Sequence, residues 1–209
     1  MKNLFLAAVA LAVFAVPAFA SNAAQQAAAP AATQSADKTP PSYDMKPQSL
    51  QDLDDMHKKF VALATAIPQE KYNYRPAEGV RSIGEVFLHI SNANYNIPSL
   101  MGAPLPAGFD AKTFEKSTTD KAQIIDQLNK SFDSAHNAIA AMTNGDFAKP
   151  LPKLGPDANY GDVIYLLVTH AHEHLGQSIA YARMNGVVPP WTAEAEAKAK
   201  SKKQAAPEN

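Results

Sequence analysis

The sequence predicts an all-α fold, a four-helix bundle. Four segments repeat large apolar residues at three- and four-residue steps, the period of a helix with one buried face. Capping or breaking residues bound these segments. No segment sustains the two-residue alternation of a strand between turn signals.

The first segment, SLQDLDDMHKKFVALATAI (49–67), lines up Leu50, Leu53, Met56, Phe60, Leu63 and Ile67. Pro68 stops it, because proline has no amide hydrogen to continue the helical ladder. The second opens at Ser82 in RSIGEVFLHISNANYNI. Ser82 with Glu85 three residues on forms a capping box, each side chain serving the other's backbone amide. Ile83, Val86, Phe87 and Ile90 make its apolar stripe, and Pro98 bends or ends it. The third spans 118–142 with Ile124, Leu128, Phe132, Ala135 and Ile139 on its face, and Asn144-Gly145 reads as its closure. The fourth runs from about Asp162 to Met184, ahead of Asn185-Gly186, along Ile164, Leu167, Ala171, Leu175, Ile179 and Ala182. The connections 68–81, 102–117 and 143–161 are long enough to cross between non-adjacent helices, so a simple up-down order is not required.

These helices belong to one domain, 45–192. Ahead of it, MKNLFLAAVALAVFAVPAFA (1–20) has the parts of a secretory signal peptide: Lys2, an apolar run from Leu4 to Val16, and the small-x-small site Ala18-Phe19-Ala20. A membrane anchor is the alternative, but the run is short and contains Pro17. Residues 21–44 form an Ala/Pro/Gln-rich linker. Up to residue 42 it carries no aliphatic side chain larger than alanine, too little to offset the entropy of ordering. Residues 193–209 are a tail of alanine and charge, partly helical at most, with nothing to pack. The expectation is an exported protein, periplasmic or secreted, with no stable membrane anchor once the signal is cleaved.

Composition removes several classes of function. A net charge of −1 provides no basic field for nucleic acid or anionic lipid. The absence of cysteine excludes disulfides, thiolate nucleophiles, lipidated cysteine anchors and cysteine-type zinc sites. No G-x-S-x-G, P-loop or G-x-G-x-x-G is present.

What stands out is THAHEHLGQ (169–177), which holds three of the six histidines. At about 100° per residue, His170 and His174 lie about 40° apart on one helix face, while His172 lies about 200° from His170 and points away. The pair shares the side of Leu167 and Ala171, the bundle interior. Side-by-side buried imidazoles need hydrogen-bond partners or a cation. His89, at the edge of the second helix's stripe, supplies a third. Three histidine ligands leave a position free on a tetrahedral metal, the arrangement of catalytic rather than structural zinc. His89 alone also reads as a hydrogen-bonded core histidine. His57 falls on a polar helix face and is expected in solvent, and His136 lies one step off its stripe, at the surface or edge. The H-E-x-x-H pattern is absent. Glu173 at most grazes the site, whereas Glu85, one turn before His89, is the better carboxylate to support a ligand. Asn92, Tyr95 and Tyr165 are candidates for lining a pocket.

Two stretches resemble the DinB/YfiT-like superfamily. YNYRPAEGVRSIGEVFLHI (72–90) is similar to its aromatic, R-P, polar turn, S-I and helix ending on histidine. HAHEHLGQSIAYARMNGVVPP (170–190) is similar to its H-x-x-x-H-x-G-Q helix and trailing prolines. The resemblance covers about 45–192. It implies a four-helix bundle of non-simple order, a homodimer in many members, and a divalent metal held by His89, His170 and His174. Zinc or nickel is typical, and iron, manganese or copper is compatible. Leu175 stands where the family often has arginine, which removes that arginine's role toward an anionic substrate. Some relatives are thiol transferases using cytosolic mycothiol or bacillithiol, an activity that does not carry over to an exported chain.

The reading is therefore a metal-dependent hydrolase or transferase acting on a small molecule, with no nucleic-acid partner. The alternatives are a non-catalytic metal-binding module of the cell envelope and a plain bundle with structural histidines.

Overall fold

The computed structural model describes residues 44–204. The expected signal peptide, the linker up to residue 43 and the end of the tail from residue 205 lie outside the described residues. Within them the chain is all-helical with no strand: α1 (Met45–Ala66), α2 (Ile83–Ser99), α3 (Lys121–Ala140), α4 (Tyr160–Met184) and α5 (Pro190–Gln204). Short 3₁₀ turns, Gln69–Lys71, Phe114–Lys116 and Asn144–Ala148, interrupt the three long connections.

Local sequence sets the helix starts. Asp44, Ser82, Asp120 and Asn159 each accept a backbone N–H of the first turn. Ser82–Glu85 forms the expected capping box, and Asn159–Asp162 forms another. Gly186, just past the Asn185 cap of α4, closes the helix with a φ of +76° that suits a residue without a Cβ. The amides of Gly186 and Val187 return to the carbonyls of Arg183 and Ala182, as in a Schellman closure. Asn144-Gly145, by contrast, does not close the third helix. α3 stops at Ala140, and Asn144 opens a 3₁₀ turn capped by Thr143 and Asp146.

The apolar stripes meet in one core. Phe60, Phe87, Phe132 and Tyr72 are at most 1% exposed and stack edge-on or tilted, with centroids 5.7–6.3 Å apart. α1 and α2 each pack against both α3 and α4, so the sequential pairs α1/α2 and α3/α4 lie on the diagonals. Directions follow from contacts at the ends. Lys46 of α1 reaches the carbonyls of Ala140 and Met142, and Lys121 of α3 reaches those of Thr65 and Ile67, so α1 and α3 are antiparallel. Asn94 bonds Ser131, and Gly84 lies against Ile124, so α2 and α3 are parallel. Tyr74, just ahead of α2, packs on Tyr181 near the end of α4, so those two are antiparallel.

A parallel α2/α3 pair forces a crossover. Residues 100–120 must return along the whole of α2, about 25 Å at 1.5 Å per residue. They do so in contact with it. Phe109 and Phe114 pack on Tyr95, and Asn92 donates to the Ala111 carbonyl. Farther on, Glu115 reaches His89 and Thr119 accepts from Gln69.

The tail is helical to Gln204 and exposed from Ala193 onward, and its helix starts inside the domain, where Trp191 packs partly buried against the core. Among the described residues no helix is long and apolar enough to cross a membrane.

Candidate metal centre

α2 and α4 are neighbours, and their facing turns bring His89, His170 and His174 together. One nitrogen from each ring lies within 4.8 Å of the others. Ring centroids are 5.0 Å apart for His89–His170, 4.6 Å for His89–His174 and 4.5 Å for His170–His174. All three are half-buried. His172 is exposed, as the helical angle requires. His57 is not solvated: it stacks on Phe132 and bonds Asn129 at 2.8 Å. His136 sits at the edge, 3.6 Å from Asp54.

Outer partners orient two of the three rings. His89 Nδ1–H donates to Glu115 Oε1 at 2.6 Å, because an ionised carboxylate can only accept. Arg81 donates to both oxygens of Glu115, at 2.7 and 3.3 Å. His174 Nδ1–H donates to Gln177 Oε1 at 2.7 Å, and the Gln177 amide nitrogen donates to the Tyr181 hydroxyl at 3.1 Å. Both rings thus carry their hydrogen on Nδ1 and keep a lone pair on Nε2. Metal-binding histidines are commonly oriented this way by carboxylate or carbonyl groups.

The electrostatics agree. Burial lowers the pKa of His170 to about 4, and the neighbouring His174, His89 and Arg81 push in the same direction. Burial also lowers His89, although Glu115 pulls it back. Burial would raise the carboxyl of Glu115, but hydrogen bonds from Arg81 and His89 hold it below its ordinary value. Near neutral pH His89 and His170 are therefore neutral, and His89 is backed by a carboxylate.

His89 Nε2 and His170 Nε2 face each other at 3.1 Å. Two lone pairs cannot oppose each other at that distance. Either His170 carries the hydrogen between them or a cation takes its place. The three nitrogens therefore fit a divalent ion in spacing, softness and protonation.

Sequence reading missed Glu115 and favoured Glu85. Glu85 is instead occupied by its cap and by Arg75, which holds it with two contacts of 2.5 Å. Of the proposed pocket residues, Tyr165 is 71% exposed, while Tyr95 and Asn92 are buried and engaged by the crossover. The cavity beside the cluster, about 690 Å³, is walled by Arg75, Arg81, Glu115, Lys116, Gln177 and Tyr181. A more apolar cavity of about 470 Å³, at the Pro98 end of α2, touches none of the histidines.

A helical bundle with crossed connectivity and three histidines converging from two neighbouring helices defines a class of metal-site scaffold. The chain belongs to the DinB superfamily, whose profile matches residues 52–178. Its fold is similar to that of a DinB-like protein from Bacillus cereus ATCC 10987, with a TM-score of 0.59 and 20% identity over 69% of this chain and 95% of that one. It is also similar to a conserved protein from Enterococcus faecalis, with a TM-score of 0.56 and 15% identity over 68% and 97% of the two chains. No curated protein matches the chain in sequence.

Proposed function

We propose that the protein is an exported metal-dependent enzyme, a hydrolase or transferase of a small molecule, with His89, His170 and His174 as ligands to a divalent cation. The observation that carries this reading is the convergence of the three rings, with ligand nitrogens within 4.8 Å and two Nδ1 hydrogens committed to outer partners. Zinc or nickel suits three imidazoles best, with iron, manganese and copper compatible. When bound, the cation supplies Lewis acidity toward a carbonyl or phosphoryl oxygen. The chain's own residues fix the ligand set: Arg81 holds Glu115, Glu115 holds His89, and Gln177 holds His174. Export rests on the N-terminal sequence, and self-association as a homodimer on the family resemblance.

One observation favours a second reading, a non-catalytic metal-binding module. Glu115, the carboxylate bonded to the cluster, is taken up by Arg81 and His89 and is not free to act as a base.

Elemental analysis of purified protein tests the ligand set. His170→Ala is expected to lose stoichiometric metal and His172→Ala to keep it; equal content in the two variants rejects the assignment. Cobalt substitution separates the two readings. An enzyme's cation admits an added ligand, so thiocyanate shifts the visible bands, whereas a sealed structural cation leaves them unchanged.

A further inference from the structure

The cavity beside the histidines holds three cationic side chains, Arg75, Arg81 and Lys116, against two carboxylates, Glu85 and Glu115. Each carboxylate is already gripped by an arginine. Lys116 is exposed and forms no ion pair among the described residues, although its charge acts on Glu85, so the wall carries one positive charge in excess. Arg75 and Arg81 also keep N–H donors that these contacts do not use.

A second, independent feature points to the same ligand. If His174 presents Nε2 to a cation, its hydrogen sits on Nδ1 and donates to Gln177 Oε1. That fixes the amide, whose nitrogen then donates to the Tyr181 oxygen. The Tyr181 hydroxyl is left to donate onward. Tyr181 is only 8% exposed and lines the cavity, and no protein acceptor for its hydrogen lies among the described residues. Two donations therefore run outward from the histidine cluster and end on an O–H that no protein group among the described residues receives. Chained hydrogen bonds polarise one another, so a hydroxyl at the end of this chain, facing the cavity, favours a strong acceptor.

We propose that this cavity is an oxyanion subsite, taking a carboxylate or phosphoryl group of the substrate on Lys116 and the Tyr181 hydroxyl. The histidines do not line it, so the anionic group is held one residue layer from the cluster, beyond Gln177. The inference rests on the metal reading for the direction of the Tyr181 chain, whereas the excess charge at Lys116 stands without it.

The test is calorimetric titration of the full chain, metal-loaded and at constant ionic strength, with inorganic phosphate and separately with acetate; the two arms rank phosphoryl against carboxylate. Saturable binding of at least one anion is expected. Lys116→Gln and Tyr181→Phe should each weaken it about tenfold, as expected for loss of a charge-assisted contact, while elemental analysis shows unchanged metal. Absence of saturable binding by either anion overturns the proposal, as does binding that survives both substitutions. His170→Ala separates the two readings. Anion binding that persists without metal places the anion in the cavity. Binding lost in His170→Ala but intact in Lys116→Gln places it on the cation and overturns the subsite. Wild-type protein that takes up no metal yet binds phosphate through Lys116 refutes the metal reading and leaves the subsite standing.

Discussion

Glu115 does for His89 what a helical neighbour could not. It approaches from the crossover, accepts the Nδ1 hydrogen at 2.6 Å and is held by Arg81 on its far side. A carboxylate in that position fixes the ring's tautomer and raises its basicity as a ligand. Glu115→Ala is therefore expected to weaken metal binding about 10- to 100-fold, measured by competition with a chromogenic chelator. Glu115→Gln keeps a carbonyl acceptor but loses the charge, and should fall between the two. Equal affinity in wild type and Glu115→Ala would show that the contact does not tune the site. The histidine trio was legible in sequence because i,i+4 spacing and an apolar stripe fix a direction on a helix. Glu115 was not, because it lies 26 residues from His89 in a connection with no periodicity. Glu85 was the natural sequence-level choice, but its carboxylate serves the cap of α2 and Arg75.

At the scale of elements, α1 and α3 close each other's ends. The ammonium of Lys46, in the first turn of α1, sits on the carbonyls of Ala140, the last residue of α3, and Met142 just beyond it. Lys121, in the first turn of α3, sits on those at the end of α1, 2.7 Å from both Thr65 O and Ile67 O. Helix C-termini leave carbonyls without amide partners and carry partial negative charge, so a cation there satisfies both. Neither α1 nor α3 has a basic residue of its own in the last turn. Lys46→Met and Lys121→Met are each expected to cost about 1 kcal/mol, read from the midpoint of urea unfolding. The two sites lie at opposite ends of the pair, so the losses should add. Sequence showed the stripes and starts of these helices, since both are local properties. It misplaced the end of α3 at Asn144-Gly145 because the residue that stabilises the true end comes from another helix.

At the scale of the whole molecule, periodicity says which face of a helix is buried but not which helix covers it, so the diagonal placement of α1/α2 and α3/α4 is set by tertiary contacts that no local pattern encodes. That placement makes α2 and α4 neighbours and routes the crossover past His89, so one topology supplies all three histidines and the outer carboxylate. A cation bound there would tie α2 to α4 across the bundle in a chain without cysteine to form a disulfide. Binding to the folded state alone adds RT ln(1 + [L]/Kd), about 2.7 kcal/mol at a hundredfold excess over Kd. For a domain of this size that corresponds to roughly 5–10 °C in Tm. Chelation should therefore lower the Tm of wild type by that amount in scanning calorimetry and leave His170→Ala unchanged. The Tm of the variant should lie close to that of chelated wild type, apart from the effect of the substitution itself. A chelator that lowers both proteins equally would place the stabilising ion elsewhere. An unchanged wild type, with removal of the metal confirmed by elemental analysis, would mean that the ion does not bind the folded state in preference to the unfolded chain.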